Sequence, residues 1–249
     1  MSNREDFLEN VRRSLGRSET SPAPPIDETA LFDSVETVKA RAVAAEERSA
    51  GEAVGLMSTL RETAERVGWK VRRVASHEEA AEHVMGLIRA LEPRSVLRSA
   101  HTVVDGLGLE ATLAEAGIGI EVMAIDQAGA EEQLRDRRAS MRDKASRADV
   151  AVTGVDYAIA ETGTCVIVAR PGVSRLVSLL TPVHVALVER DKVLPGLDEL
   201  FTLRRRDFLE GRPLGYMNLI SGPSRSGDLD QTLVEGVHGP GEVHMVLIG

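Results

Sequence analysis

"WKVRRVASHEEAAEHVMGLIRALEPRSVLRS", residues 69–99, decides the fold. It reads as a strand over 69–75, a helix over 78–91 and a strand over 94–99. The pattern continues outward with a helix at 106–117 ("GLGLEATLAEAG"), a strand at 118–125 ("IGIEVMAI"), a helix at 131–148 and the strand "DVAVTG" at 149–154. Such alternation is the signature of β-α-β units, in which helices cross over a largely parallel sheet. The expected class is therefore α/β, with an open, largely parallel sheet flanked by helices.

After residue 154 the pattern shifts. "TCVIVA" (164–169) and "HVALVE" (184–189) are short apolar runs with a helical turn around 174–180 between them. "DELFTLRRRDFLE" (198–210) is a polar helix, and "YMNLIS" (216–221) and "VHMVLI" (243–248) are further strands. Upstream, residues 33–67 are rich in Ala, Glu and Arg without a strand signal, which predicts two helices. Phe7, Leu8, Val11 and Leu15 recur at helical spacing over 4–16, and "SETSPAPP" (18–25) then reads as a linker. This N-terminal helix cannot bury its stripe alone and is expected to dock on the body or on another subunit. The expected division is an N-terminal helical segment and linker over 1–50 and an α/β domain over 51–249.

The 249 residues are 43% apolar, 28% charged and 3% aromatic, with a net charge of −9. That charge disfavours a phosphate backbone as partner for the whole surface, and so few aromatics supply no stacking platform for single strands. Nucleic acid is therefore not an expected partner, although the local cluster "LRRR" at 203–206 is suited to a small anion. No stretch approaches the roughly 20 apolar residues of a membrane span, and the N-terminus lacks a signal-peptide core, so a cytoplasmic protein is expected. The single cysteine, Cys165, excludes an internal disulfide framework and an all-cysteine iron–sulfur cluster, which takes about four thiolates. Lying inside "TCVIVA", Cys165 reads as a buried small hydrophobe rather than a reactive thiol.

Two stretches carry candidate chemistry. In "ADVAVTGVDYAIAETGTCVIVARPG" (148–172), two buried-strand patterns flank a segment holding Asp156, Glu161 and Thr162. In an open parallel sheet ligands bind outside the carboxyl ends of the strands. A carboxylate in such an apolar stretch is costly unless it is paired or functional, so Glu161 reads either as a functional group or as a tie to neighbouring backbone. The second stretch is the long glycine-rich loop "SGPSRSGDLDQTLVEGVHGPGE" (221–242). Here Ser226 or Asp228 is placed to cap a short helix over 228–236. Backbone N–H groups at that helix start suit an anion, and Arg225 is suited to a bidentate pair with one. His238 is a candidate general acid or base, and His184, on a strand, reads as a core or edge histidine. No H-x-x-x-H or C-x-x-C spacing points to a metal. "GLGLEA" (106–111) imitates a dinucleotide fingerprint, but "AHTVVD" separates its first glycine from the preceding strand, which spoils the phosphate-cradling turn.

"DVAVTGVDYAIAETGT" (149–164), "SLLTPVHVALVERDKVLPGLDE" (178–199) and the tail from Ser221 to Ile248 together resemble the LUD-domain family, and within it the lactate-utilization branch, over residues 50–249. The positions that match the motif are Glu161, Thr162, Gly163, Ser221, Gly222, Pro223, Ser224, Asp228, His238 and Gly239. Family members often carry an acidic "TDLGE"-like stretch after the strand at 119–124, where this chain has "IDQAGAEEQL" and retains Asp126. The resemblance implies a fold similar to the NagB/RpiA/CoA-transferase superfamily. It also implies a part in oxidising L-lactate to pyruvate beside two partner subunits that carry iron–sulfur clusters. This chain would itself bind no cofactor.

Three readings follow. In the first, the 154–164 segment and the 221–241 loop converge on a pocket for a small anionic ligand. Arg225 holds the anion, Thr162, Gly163, Ser221, Gly222, Ser224, Asp228 and Gly239 line the pocket, and Glu161 and His238 carry protons. In the second, the chain is a free-standing acyl- or CoA-transferase-like enzyme with Glu161 as its nucleophile. In the third, it is a non-catalytic assembly or regulatory subunit.

Overall fold

The computed structural model describes residues 7, 9–11, 13–14, 33–124, 130–212, 215–227 and 233–249. Within the expected helix over 4–16, the described residues are helical and exposed. The linker "SETSPAPP", Asp126, Asp228 and Asp230 lie outside the described residues.

Residues 33–67 form one helix, α1 (Val35–Val67), rather than the expected two. Ser34 caps its start, with Oγ accepting the Thr37 amide at 3.2 Å. Gly68 ends it in the left-handed region at φ 105, donating its N–H to the Ala64 and Glu65 carbonyls. No proline falls between the caps, and glycine within a helix costs only about 1 kcal/mol, so Gly51 and Gly55 do not break the hydrogen-bond ladder. A buried stripe through Ala42, Ala45, Leu56, Met57, Leu60 and Ala64 holds the helix down.

The succeeding elements are β1 (Lys70–Val74), α2 (His77–Leu91), β2 (Ser95–Arg98), α3 (Thr102–Asp105), α4 (Leu109–Glu115), β3 (Gly119–Val122), α5 (Glu131–Arg147) and β4 (Val150–Gly154). They are followed by β5 (Tyr157–Ile159), β6 (Thr164–Val168), α6 (Val177–Leu180), β7 (Val183–Glu189), β8 (Val193–Leu194) and α7 (Leu197–Leu209). The chain closes with β9 (Met217–Ile220), β10 (Arg225–Gly227), β11 (Leu233–Glu235) and β12 (Glu242–Ile248).

The main sheet has six strands in the order β1-β12-β7-β4-β2-β3, every pair parallel. Its centre is buried on both faces, which is why β4, β7 and β12 read as continuous apolar runs. Ala80, Val84 and Ile88 of α2 pack on one face with Leu109 and Leu113 of α4. On the other face lie Leu56, Met57 and Leu60 of α1 with Trp69. The last strand, β12, fills the slot between β1 and β7.

"TCVIVA" does not join this sheet. β6 pairs antiparallel with β5 and β9 in a second sheet of order β8-β5-β6-β9. Only Ala160–Gly163 separate β5 from β6, and a parallel pairing needs a crossover of about a dozen residues, so the two strands must run antiparallel. This sheet packs Ile159, Val166 and Leu194 against Ala42 of α1 and Leu200 and Leu203 of α7.

β2 and β4 are neighbours whose connections leave in opposite directions, β2 outward to β3 and β4 to β7. Their carboxyl ends therefore form the topological switch point, where open α/β sheets bind ligands.

Candidate functional site

At the switch point the chain after β2 meets the chain after β4. His101 is only 5% exposed and lies directly against Gly154, where an added Cβ would sit 2.2 Å from its Nδ1. Only glycine permits this approach. His101 Nδ1 accepts the Val103 amide at 3.4 Å and so caps α3. A ring nitrogen that accepts places the ring proton on the other one, here Nε2, which lies 3.7 Å from Oδ1 of Asp156.

Asp156 is held from two further sides. Its Oδ2 accepts the Val168 amide at 2.7 Å, and its Oδ1 accepts from Arg170 Nη1 at 2.7 Å. Burial pushes this carboxyl up, but His101, the Val168 amide and the Arg170 charge together hold it below the ordinary carboxylate value. Arg170 Nη1 also donates to the Val168 carbonyl at 3.0 Å. The guanidinium is thereby fixed through one nitrogen, and among the described residues its Nε/Nη2 edge has no partner. That edge presents parallel donors matched to a carboxylate or phosphate.

Arg170 lines a hollow of about 640 Å³, with Met123, Gly172, Ser174, Arg175 and Tyr216. The turn "RPG" carries it: Ala100 donates its amide to the Gly172 carbonyl at 2.8 Å, and Gly172 adopts φ 80 against the Ala100 methyl. Arg175 Cζ stands 5.0 Å from the Tyr216 ring centroid, a cation–π contact that steadies a second cation at the rim. Asp156 also lines a separate hollow of about 580 Å³ with Glu46, Tyr157, Arg190 and Lys192.

The two sequence motifs meet, but as packing. Thr162, Thr164 and Ser221 form a chain of hydroxyl contacts at 2.7 Å each. Gly163, at φ 65, presses on the backbone of Ala64, and Gly222, at φ 97, presses on the Val67 carbonyl. Thr63 Oγ1 donates to the Ala160 carbonyl at 2.6 Å. The "AETGT" and "SGPS" turns thus clamp the C-terminal end of α1. Glu161 Oε1 accepts the Leu197 amide at 3.0 Å, at the first residue of α7. That is the tie to neighbouring backbone, and the Glu161 amide in turn donates to the Pro195 carbonyl at 3.1 Å.

In the tail, Ser224 Oγ accepts the His238 amide at 3.2 Å, and Gly239 lies against Ser224. Arg225 Nε donates to Glu235 Oε1 at 3.2 Å. The short helix expected over 228–236 is corrected at its described end: Leu233–Glu235 is a strand paired with Arg225–Gly227 in a two-stranded ribbon. Glu161 and His238 have separate partners, and the hollows beside Asp156 and Arg170 are lined by neither. In the "LRRR" cluster Arg204 pairs with buried Asp207 at 2.9 Å and Arg206 with Glu46 of α1 at 2.8 Å.

His101, Arg170, Arg175 and Tyr216 were not singled out from sequence. "ARPGVSR" (169–175), two arginines around a Pro-Gly turn directly after a buried run, was the signal available. Cys165 is fully buried and its thiol is pushed up by desolvation. His184 is a core histidine, with Nε2 2.8 Å from Thr153 Oγ1. Gly106–Ala111 joins two short helices rather than a strand to a helix. Among the described residues no cluster of His, Cys, Asp and Glu is arranged to hold a metal ion, and no helix is long and apolar enough to cross a membrane.

The LUD domain family profile matches residues 57–248. Lactate utilization protein C of Exiguobacterium sp. (strain ATCC BAA-1283 / AT1b) is 43% identical over 111 residues, 43% of this chain and 47% of that protein. The chain thus spans about half the length of that relative. Lactate utilization protein C of Halalkalibacterium halodurans is 29% identical over 240 residues, 95% of this chain and 94% of that protein. Lactate utilization protein B of Shouchella clausii is 24% identical over 76% of this chain and 47% of that protein. A crystal structure of a DUF162 family protein from Deinococcus radiodurans shares the fold, with a TM-score of 0.51 at 19% identity, over 79% of this chain and 98% of that one.

Proposed function

Given that this chain belongs to the LUD-domain family, we propose that it is the component of a lactate-utilization system that holds the carboxylate of a small hydroxy or keto acid at the switch point. The observation that carries this reading is the Nε/Nη2 edge of Arg170. It has no partner among the described residues, Arg170 lines the hollow shared with Arg175, and Asp156 orients the guanidinium through Nη1. His101 and Asp156 act as positioning residues, and the bonds of Nη1 to Asp156 and to the Val168 carbonyl hold the guanidinium in place.

Oxidising lactate to pyruvate releases two electrons and two protons. With one cysteine, this chain cannot ligate an all-cysteine iron–sulfur cluster. The electrons are therefore assigned to a partner subunit carrying such clusters, and the similarity to lactate utilization proteins B and C supports an assembly of that kind. The "AETGT" and "SGPS" motifs contribute the rigid frame of the site rather than its chemistry.

The test is calorimetric titration of L-lactate and pyruvate into the wild type and into R170K, R170A and R225A. R170K keeps the charge but loses the planar fork. Both Arg170 variants are expected to bind about tenfold or more weakly, equivalent to ~1.4 kcal/mol or above. R225A is expected to bind as the wild type. Loss of binding in R225A with retention in R170A would move the site to the tail loop and end this proposal.

A further inference from the structure

The hollow beside Arg170 does not end at Arg175. Through Met123 and Ser174 it continues into a second hollow of about 550 Å³ along α5, lined by Arg135, Arg138, Met141 and Arg142. The three arginines recur at steps of three and four residues, so they share one helix face. Arg135 has a loose pair with Glu131 at 3.6 Å. Among the described residues, Arg138, Arg142 and Arg175 have no carboxylate partner.

Arg135, Arg138, Arg142 and Arg175 stand exposed along the groove, whereas the deeply placed arginines meet carboxylates: Arg98 meets Asp105 and Glu110, Arg204 meets Asp207, and Arg206 meets Glu46. Arg138 and Arg142, four apart on one face, repel each other, and an anion between them would relieve that repulsion. A monocarboxylate engages one guanidinium fork and leaves the α5 arginines unanswered. Each hollow alone falls in the size range of sites for drug-sized ligands, about 300–1,000 Å³. A three-carbon acid fills little of it.

We infer that the groove from Arg170 and Arg175 along Arg135, Arg138 and Arg142 binds a small organic molecule carrying a diphosphate. Its phosphoryl oxygens would lie on the α5 arginines and its other end in the Arg170 hollow. The placement of that other end rests on the carboxylate reading above. The α5 anion site does not.

The probes are inorganic pyrophosphate, ADP and L-lactate, titrated at constant ionic strength into the full chain, the wild type compared with R138A/R142A and with R170A. All three arginines lie on the surface of the hollows, and thermal denaturation will verify that the variants stay folded. Pyrophosphate and ADP are expected to saturate the wild type and to bind R138A/R142A at least tenfold more weakly, with lactate binding unchanged in that variant. Absence of saturable binding by either phosphate probe, or equal binding by R138A/R142A, overturns the inference. So does equal competition by sulfate, which marks an adventitious ion only, or by a duplex oligonucleotide, which marks a phosphate-backbone surface. Should lactate fail to bind while the phosphate probes still depend on Arg138 and Arg142, the carboxylate reading falls and the diphosphate site stands.

Discussion

Asp156 Oδ1 lies 2.7 Å from Arg170 Nη1, while its Oδ2 receives the Val168 amide at 2.7 Å. One carboxylate thereby ties the end of β6 to the guanidinium at the mouth of the hollow. Its protonation state is coupled to the shape of the site.

Asp156→Asn tests that coupling. The folded carboxyl sits below its ordinary value, with burial opposing and His101, Val168 and Arg170 outweighing it. A depressed acid contributes stability that is present above the unfolded value, about 3.9, and lost as pH falls through the folded one. The variant is expected to lose about 1–3 kcal/mol near neutral pH. In urea unfolding, its gap from the wild type should narrow below about pH 4. A constant gap at all pH values would assign the loss to packing.

Glu161→Gln and Glu161→Ala separate a backbone tie from a catalytic carboxylate. Gln keeps an oxygen for the Leu197 amide, so E161Q is expected to retain lactate-dependent growth and nearly full stability, whereas E161A loses the start of α7 and about 0.5–2 kcal/mol. A stable but inactive E161Q would reverse the assignment and restore the nucleophile reading.

Gly163→Ala and Gly222→Ala test the clamp on α1. Added methyls would lie 2.6 Å from the Ala64 nitrogen and 2.3 Å from the Val67 oxygen, each on a backbone of positive φ. Costs of about 2–3 kcal/mol each correspond to roughly 4–12 °C in Tm for a chain of this size. Gly51→Ala, in open space within α1, is the control and should stabilise by about 0.5–1 kcal/mol.

His184 should give the chain an acid-sensitive range. Burial, aided by the nearby His244 charge, lowers its pKa to about 3. The unfolded chain takes up this proton at about 6.5 and the folded chain does not, so stability falls as pH drops below that value, by up to ~1.4 kcal/mol per pH unit. Histidine NMR should show an imidazole that stays neutral down to about pH 4. Titration of that signal near 6 would mean that water reaches the core.

Much of the architecture was readable beforehand. Parallel strands covered on both faces are apolar along most of their length, and "DVAVTG", "HVALVE" and "VHMVLI" announce themselves that way. Residues 33–67, rich in Ala, Glu and Arg, were expected to form two helices, and the buried stripe through Met57 and Leu60 shows why one helix runs on. Asp156 was visible as a carboxylate beside a buried run. His101 was not, because nothing local distinguishes a loop histidine from one that faces a carboxylate, and Arg170 was marked only by the Pro-Gly turn beside it.

Spacing and polarity act over a few residues, so the chain's own order of apolar and polar groups was enough to establish the crossover units, the parallel sheet and the family motifs. Which strands stayed in that sheet was settled by connection length, once β5 and β6 were too close to cross over. The site came last. It exists because parallel pairing of β2 with β4 sets His101 beside Gly154 and brings Asp156 to Arg170, and such long-range register depends on the burial of whole strands rather than on any neighbouring letters.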